Sequence, residues 1–283
     1  MLWPLTQPMG SAMPDQFDLD KYLVRIGYHG PVAPTRETLH GLQAAHVDAI
    51  AFEAIDPLLG RPVNIDLAAV QAKIVDGRRG GYCFEQNALF KAALEAIGFA
   101  VIPLSARVRW RVEAGAPLTP RTHMMLKVDL PEGPHLADVG FGSCLLDAPL
   151  KMVPDIEQST AMGTFRLTLS DGLHWLAVKQ PAGWRTMYVF DLVPQVHADY
   201  VLGNWYTSTS PHTPFTSVLI LERLTRNARY RLVNRRLVIE GRHGEVTSEQ
   251  IIETPEMLRS VIDELFGVTL PVPADEVWAR TET

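Results

Sequence analysis

Apolar residues recur with helical spacing through the first third of the chain. Leu19, Tyr22, Leu23 and Ile26 make one face of a short helix over residues 17–26 that Gly27 stops. Thr35 is placed to cap a second helix, whose face carries Leu39, Leu42 and His46, with His46 expected at a surface or interface. Asp66 opens a third helix, which runs through Val70 and Ile74 to Gly77. A fourth follows Gly80 and Gly81, with Leu89, Ala92, Ala93 and Ile97 on one face and Gly98 at its end. The glycine pair predicts a tight turn at positive φ just ahead of it.

After Gly98 the period changes. Phe99, Val101 and Ile102, then 106–110, 123–130, 135–140, 164–170, 174–179 and 188–192, read as strands rich in β-branched and aromatic residues. Asp171-Gly172 marks one hairpin, and Pro131 to Pro134 marks another. This run predicts a barrel or a strongly curled sheet. From Asn204 the texture shifts again, with strands over 217–224, 230–233 and 236–240. Thr254-Pro255 then starts a helix that carries Leu258, Val261, Ile262 and Leu265 and stops at Gly267.

Composition narrows the function classes. The 283 residues are 47% hydrophobic and 20% charged, which is ordinary for a globular protein with two or three packed units. A net charge of -6 offers no general attraction to nucleic acid or anionic membrane. No apolar run reaches the roughly eighteen residues a spanning helix needs. The N-terminus lacks a basic region and a long apolar core, so an extension is expected rather than a signal peptide. Two cysteines, Cys83 and Cys144, are not a disulfide framework and fit a reducing cytoplasm. Arg226, Arg229, Arg231, Arg235 and Arg236 are read as residues of turns and a solvated strand face rather than as a phosphate patch.

Chemistry enters at Cys83, at or just before the start of the fourth helix. Unpaired backbone N–H groups and the helix dipole there favour a negative charge, and thiolate is the reactive form of cysteine. A nucleophile of this kind needs a base and an orienting group. His123 lies in an apolar strand, and Asp138 lies in the next, before Gly140-Phe141-Gly142. With a two- or four-residue turn, here centred on Pro131 and Glu132, Asp138 faces Met125, one diagonal step from His123 and on the same face. An odd turn would send Asp138 to the opposite face. A zinc site from Cys83, His123, His135 and Cys144 lacks the closely spaced ligand pairs that anchor such sites. The same three residues also suit a thiol hydrolase or a transglutaminase-like amide transfer, and the bland alternative is a non-catalytic binding protein with buried cysteines.

Arg79-Gly-Gly-Tyr-Cys-Phe-Glu-Gln-Asn87, Thr122-His123, Asp138-Val-Gly-Phe-Gly142, Phe52-Glu53 and Asn204-Trp-Tyr-Thr-Ser-Thr209 together resemble the arylamine N-acetyltransferase family. The resemblance runs from about residue 18 to about residue 270, with Ala51 where the family usually has proline and Ala54 where it usually has asparagine. It implies an α+β fold in three domains: a helical one over 1–98, a β-barrel over 99–203, and an α/β lid over 204–283. It also implies acetyl-CoA as acetyl donor, an arylamine or arylhydrazine as acceptor, no metal, and Cys83, His123 and Asp138 as the catalytic triad. Similarity places Trp110, Gly140 and Phe141 along the cofactor cleft, with Ser208 and Thr209 approaching it, and Phe52 as a wall for the acceptor. Arg79 and Glu53 are expected to form a buried ion pair that supports the Cys83 loop.

Overall fold

The helices of the first third form where the apolar stripes and caps placed them. The computed structural model describes residues 17–113, 115–241 and 244–281; the N-terminal extension up to residue 16 lies outside them. Helix α1 (Leu19–Ile26) starts at Asp18, whose carboxylate accepts the Lys21 N–H, and ends at Gly27 with φ 63°. Thr35 caps α2 (Arg36–Ala49) in the same way. The chain then makes a two-residue strand, β1 (Phe52–Glu53), and a single turn, α3 (Ile55–Leu58). Helix α4 (Leu67–Gln71) widens into a π turn over Ala72–Asp76, so the third helix is not regular down to Gly77. Helix α5 (Cys83–Ile97) ends at Gly98, with φ 102°.

The turn ahead of α5 differs from expectation. Neither Gly80 nor Gly81 has positive φ; Arg78, at φ 50°, takes that conformation instead. The glycines are required by close approach. A Cβ on Gly80 would lie 2.1 Å from the Ala51 carbonyl oxygen, and one on Gly81 2.9 Å from Glu85 Cβ. The loop lies flat against β1, where the Glu53 N–H donates to the Gly81 carbonyl at 3.0 Å.

The middle of the chain forms an eight-stranded antiparallel sheet. Its strands are β2 (Ala100–Val108), β3 (Arg121–Leu130), β4 (Gly133–Ala137), β5 (Leu150–Lys151), β6 (Glu157–Ser159), β7 (Thr164–Ser170), β8 (Leu173–Gln180) and β9 (Gly183–Phe190). Their order is β5-β4-β3-β2-β9-β8-β7-β6. Gln158 on β6 bonds both the N–H and the carbonyl of Lys151 on β5, at 2.8 and 2.9 Å, and nearly closes the barrel. Leu104, Met125, Phe165, Leu167, Leu176 and Met187 are among the fully buried residues that fill it. Strands β5 and β6 are too short to leave an alternating pattern, and β9 starts earlier than residue 188.

Helix α6 (His197–Thr209), absent from the sequence-based expectation, runs across residues 203 and 204. A second sheet follows, with β10 (Ile220–Leu224), β11 (Arg229–Val233), β12 (Arg236–Glu240) and β13 (Val246–Ile251), and β1 pairs onto β10 at its edge. Leu221, Leu232 and Leu237 of this sheet pack on Leu258, Ile262 and Phe266 of α7 (Pro255–Phe266), beside α8 (Ala274–Trp278). Arg229 is not on a solvated face: it is 4% exposed, with Nε 3.3 Å from Glu222. Among the described residues no helix is long and apolar enough to cross a membrane.

Candidate active site

The site assembles on three elements, α5, β3 and the strand end after β4. Cys83 is the first residue of α5 and is 5% exposed. Glu85 accepts the Tyr82 N–H at 3.1 Å, which closes the first turn around the thiol. The Cys83 thiol donates to the Thr122 carbonyl oxygen at 3.6 Å and lies beside His123, whose pKa it helps to raise. His123 Nε2 is 2.7 Å from Asp138 Oδ2. Pairing of Leu130 with Gly133, and of Leu126 with Ala137, leaves a two-residue turn at Pro131 and Glu132. That even count puts His123 and Asp138 on one face.

Asp138 is fully buried, and four donors meet its two oxygens. Oδ1 accepts from the Asn87 amide at 3.0 Å and the Gly140 N–H at 2.9 Å; Oδ2 accepts from His123 and from the Tyr188 hydroxyl at 2.9 Å. Burial by itself would raise the carboxyl, yet His123, Asn87 and Gly140 hold it below the usual carboxylate range. Burial would likewise lower His123, but the Asp138 charge and hydrogen bond, together with Cys83, push it up to about 10. The imidazole therefore keeps its second proton through neutral pH.

A buried charge cluster supports the loop. Arg79 Nε donates to Glu53 at 2.9 Å, and Lys73 Nζ bridges Asp56 and Glu85 at 2.7 Å each. The Arg79–Glu53 pair is thus present as part of a larger network. His46 is not at a surface: it is fully buried, with Nδ1 2.8 Å from the Tyr22 hydroxyl and Nε2 2.8 Å from Gln86 Oε1. Burial pulls its pKa down to about 3, against the Gln86 hydrogen bond. Gln86 in turn donates to the Ala51 and Gly81 carbonyls at 3.2 and 2.8 Å, which ties α2 to the Cys83 loop.

The remaining residues fall at different distances from this centre. Phe141 lies edge-on to His123, with ring centroids 5.2 Å apart, and Trp110 is edge-on to Phe141 at 6.0 Å. A Cβ on Gly140 would lie 2.7 Å from Cys83 Cα, so this glycine lets the Asp138 strand end approach α5. Phe52 packs against Phe215 at 6.0 Å and under Gly142, where a Cβ would meet its ring at 2.4 Å. Ser208 is buried on α6 beside Tyr82, its hydroxyl donating to the Asn204 carbonyl at 2.8 Å. Thr209 is exposed, and its hydroxyl turns back to the Trp205 carbonyl at 2.6 Å. The Tyr82 hydroxyl donates to Asn204 and links α6 to the residue before Cys83.

Sequence reasoning missed Asn87 and Tyr188. Asn87 lies one helical turn after Cys83, and a polar residue on the buried face of α5 is a signal that was there to use. Tyr188 comes from β9, and nothing local connects it to Asp138. Both cysteines are free thiols, and burial pushes Cys144 up to about 11. Among the described residues no group of three or more His, Cys, Asp or Glu side chains could hold a metal ion.

A family profile described as N-acetyltransferase matches residues 35–275. Over 256 residues the chain is 39% identical to an arylamine N-acetyltransferase of Mycolicibacterium smegmatis, covering 89% of this chain and 92% of that one. Over 253 residues it is 37% identical to an arylamine N-acetyltransferase of Escherichia coli K12, covering 88% of each. The structure of Mycobacterium marinum arylamine N-acetyltransferase in complex with CoA superposes with a TM-score of 0.89 at 34% identity, over 93% of this chain and 98% of that chain.

Proposed function

Since the chain belongs to the arylamine N-acetyltransferase family and is an acyltransferase, we propose that it moves an acetyl group from acetyl-CoA through Cys83 to an arylamine or arylhydrazine. The observation that carries this reading is a thiol at a helix start, beside a histidine that lies 2.7 Å from a buried carboxylate.

In this reading Cys83 Sγ, as thiolate beside the His123 imidazolium, attacks the acetyl carbonyl of acetyl-CoA. The bond from that carbon to the CoA sulfur breaks, and CoA departs with the proton from His123. The acceptor nitrogen then attacks the acetyl-Cys83 carbonyl, His123 takes the nitrogen's proton, and the Cys83 thiolate leaves. Asp138 fixes the imidazole's orientation and stabilises its positive charge. Exchange between two thioesters is nearly balanced, so the acetyl-enzyme stays reactive towards an amine.

Residues 1–98 act as the domain that carries the nucleophile, 99–203 as the barrel that carries the base, and 204–283 as the lid. Trp110, Gly140, Phe141, Ser208 and Thr209 are assigned to the cofactor cleft. Support is strongest for Phe141, which covers His123, and weakest for Thr209, whose hydroxyl is engaged by its own helix. The Gly140 N–H already serves Asp138, so any role of Gly140 at the cleft is one of space. Phe52, buried under Gly142, is assigned to the acceptor wall.

Intact-mass measurement after mixing with acetyl-CoA alone tests the proposal. One acetyl group is expected, mapped to Cys83. No adduct, or an adduct on Cys144, would overturn it.

A further inference from the structure

A cleft of about 790 Å³ opens between α2, the β4 to β6 side of the barrel and the turn after β10, and none of Cys83, His123, Asp138 or Phe52 lines it. Its volume falls in the roughly 300–1,000 Å³ range of small-molecule sites. Arg36 and His40 of α2 face it one helical turn apart, His135 of β4 and Lys151 of β5 lie across, and Arg226 stands at another edge. Val47, Leu150, Met162 and Leu224 give it an apolar wall.

Two features point to a ligand. Arg36, Lys151 and Arg226 are exposed, and among the described residues none of them pairs with a carboxylate. The one acidic side chain in the lining, Asp147, is engaged by the Thr160 hydroxyl at 2.5 Å and the Met162 N–H at 3.2 Å. Beneath these cations lie two histidines. His135 is 1% exposed, and its Nδ1 donates to the Gly133 carbonyl at 3.0 Å, while its Nε2 is buried with no partner. His40 Nε2 is also buried and unpartnered, its ring edge-on to His135 with centroids 6.4 Å apart. Buried polar atoms are seldom left unpaired.

We propose that this cleft is a second binding site, for a small organic phosphate, with the phosphoryl group facing Arg36, Lys151 and the two histidine Nε2 atoms and the carbon skeleton on the apolar wall. A phosphoryl group offers several strong acceptor oxygens and up to two negative charges, matching cations that pair with no carboxylate among the described residues. Burial, and then Arg36, hold both imidazoles below their ordinary pKa; His135 adds to this at His40 and Lys151 at His135, while the Gly133 hydrogen bond at His135, Glu132 at both and Asp147 at His40 oppose it. A bound phosphoryl group offsets Arg36 and gives a protonated Nε2 an acceptor. The complex therefore takes up a proton, and binding tightens as pH falls.

The test uses the full chain, with ribose 5-phosphate, inorganic phosphate and unphosphorylated ribose as probes, and follows histidine side-chain NMR signals. Ribose 5-phosphate should shift His40 and His135 saturably and leave His123 unmoved, and ribose should shift neither. Binding should be about tenfold tighter near pH 6 than near pH 7.5. The double variant Arg36→Gln with Lys151→Gln removes two exposed charges and should weaken it about tenfold or more. Arg226→Gln should weaken it less. Inorganic phosphate binding as tightly as the sugar phosphate would remove the organic part of the assignment. No saturable shift, a shift that survives the double variant, or one centred on His123 would overturn the site itself. No acetyl transfer is read, so the outcome is independent of the reading of Cys83.

Discussion

At Asp138 two carboxylate oxygens receive four hydrogen bonds from protein donors, and a neutral amide could not receive them all. Asp138→Asn should therefore fold yet lose acetylation on the order of 1,000- to 10,000-fold, because the amide favours the wrong imidazole tautomer. Circular dichroism with steady-state rates checks this; near-native rates in a folded variant would contradict the triad. His123, pushed up to about 10, remains an imidazolium from mildly acidic to neutral pH. That cation beside Cys83 favours the reactive thiolate, so iodoacetamide alkylation of Cys83 should be fast at neutral pH, and His123→Ala should slow it several-fold. Cys144, buried and pushed up to about 11, should stay slow throughout and serves as the internal control.

Among the elements, the turn before α5 sets how closely the Cys83 helix meets β1. Gly80→Ala places a Cβ 2.1 Å from the Ala51 carbonyl oxygen, a backbone atom that cannot swing away. We expect a stability loss of about 1–3 kcal/mol or more, with β1 displaced and acetylation reduced in parallel. Gly98→Ala is the comparison: its Cβ meets nothing, and only its φ of 102° is strained. It should lower the thermal midpoint through backbone strain of about 1–3 kcal/mol and leave acetylation per folded molecule unchanged. Equal loss of activity in the two variants would mean that close approach at Gly80 is not what sets the loop.

For the whole molecule, a buried charge group joins the barrel's return loop to the second sheet. Glu222 accepts the Leu145 N–H at 3.0 Å and lies 3.3 Å from Arg229, which also donates to the Leu145 carbonyl at 3.3 Å. Arg229→Ala leaves Glu222 buried without its cation and should cost about 3–5 kcal/mol, read as a lower midpoint in urea. A loss under about 1 kcal/mol, the value of a solvated pair, would contradict this account. The helix α6 makes a second connection, through Asn204 to Tyr82 and to the Val63 carbonyl at 2.9 Å.

Local chemistry wrote much of this protein into its sequence. The caps at Thr35, Gly27, Thr254 and Gly267, the stripe of α5, and the hairpin parity that aligns His123 with Asp138 each depend on a few neighbouring residues. Tertiary structure alone decided what crosses between segments. Gly80 and Gly81 serve contact with Ala51 and Glu85 rather than a left-handed turn, and His46 and Arg229 are buried although their own elements are amphipathic. Strand β1 joins a sheet whose other strands begin at residue 220, and Tyr188 reaches Asp138 from another hairpin. The reason is physical: caps, periods and turns are satisfied within a few residues, whereas burial and the partners of buried polar groups are set by surfaces that meet only when the chain has folded.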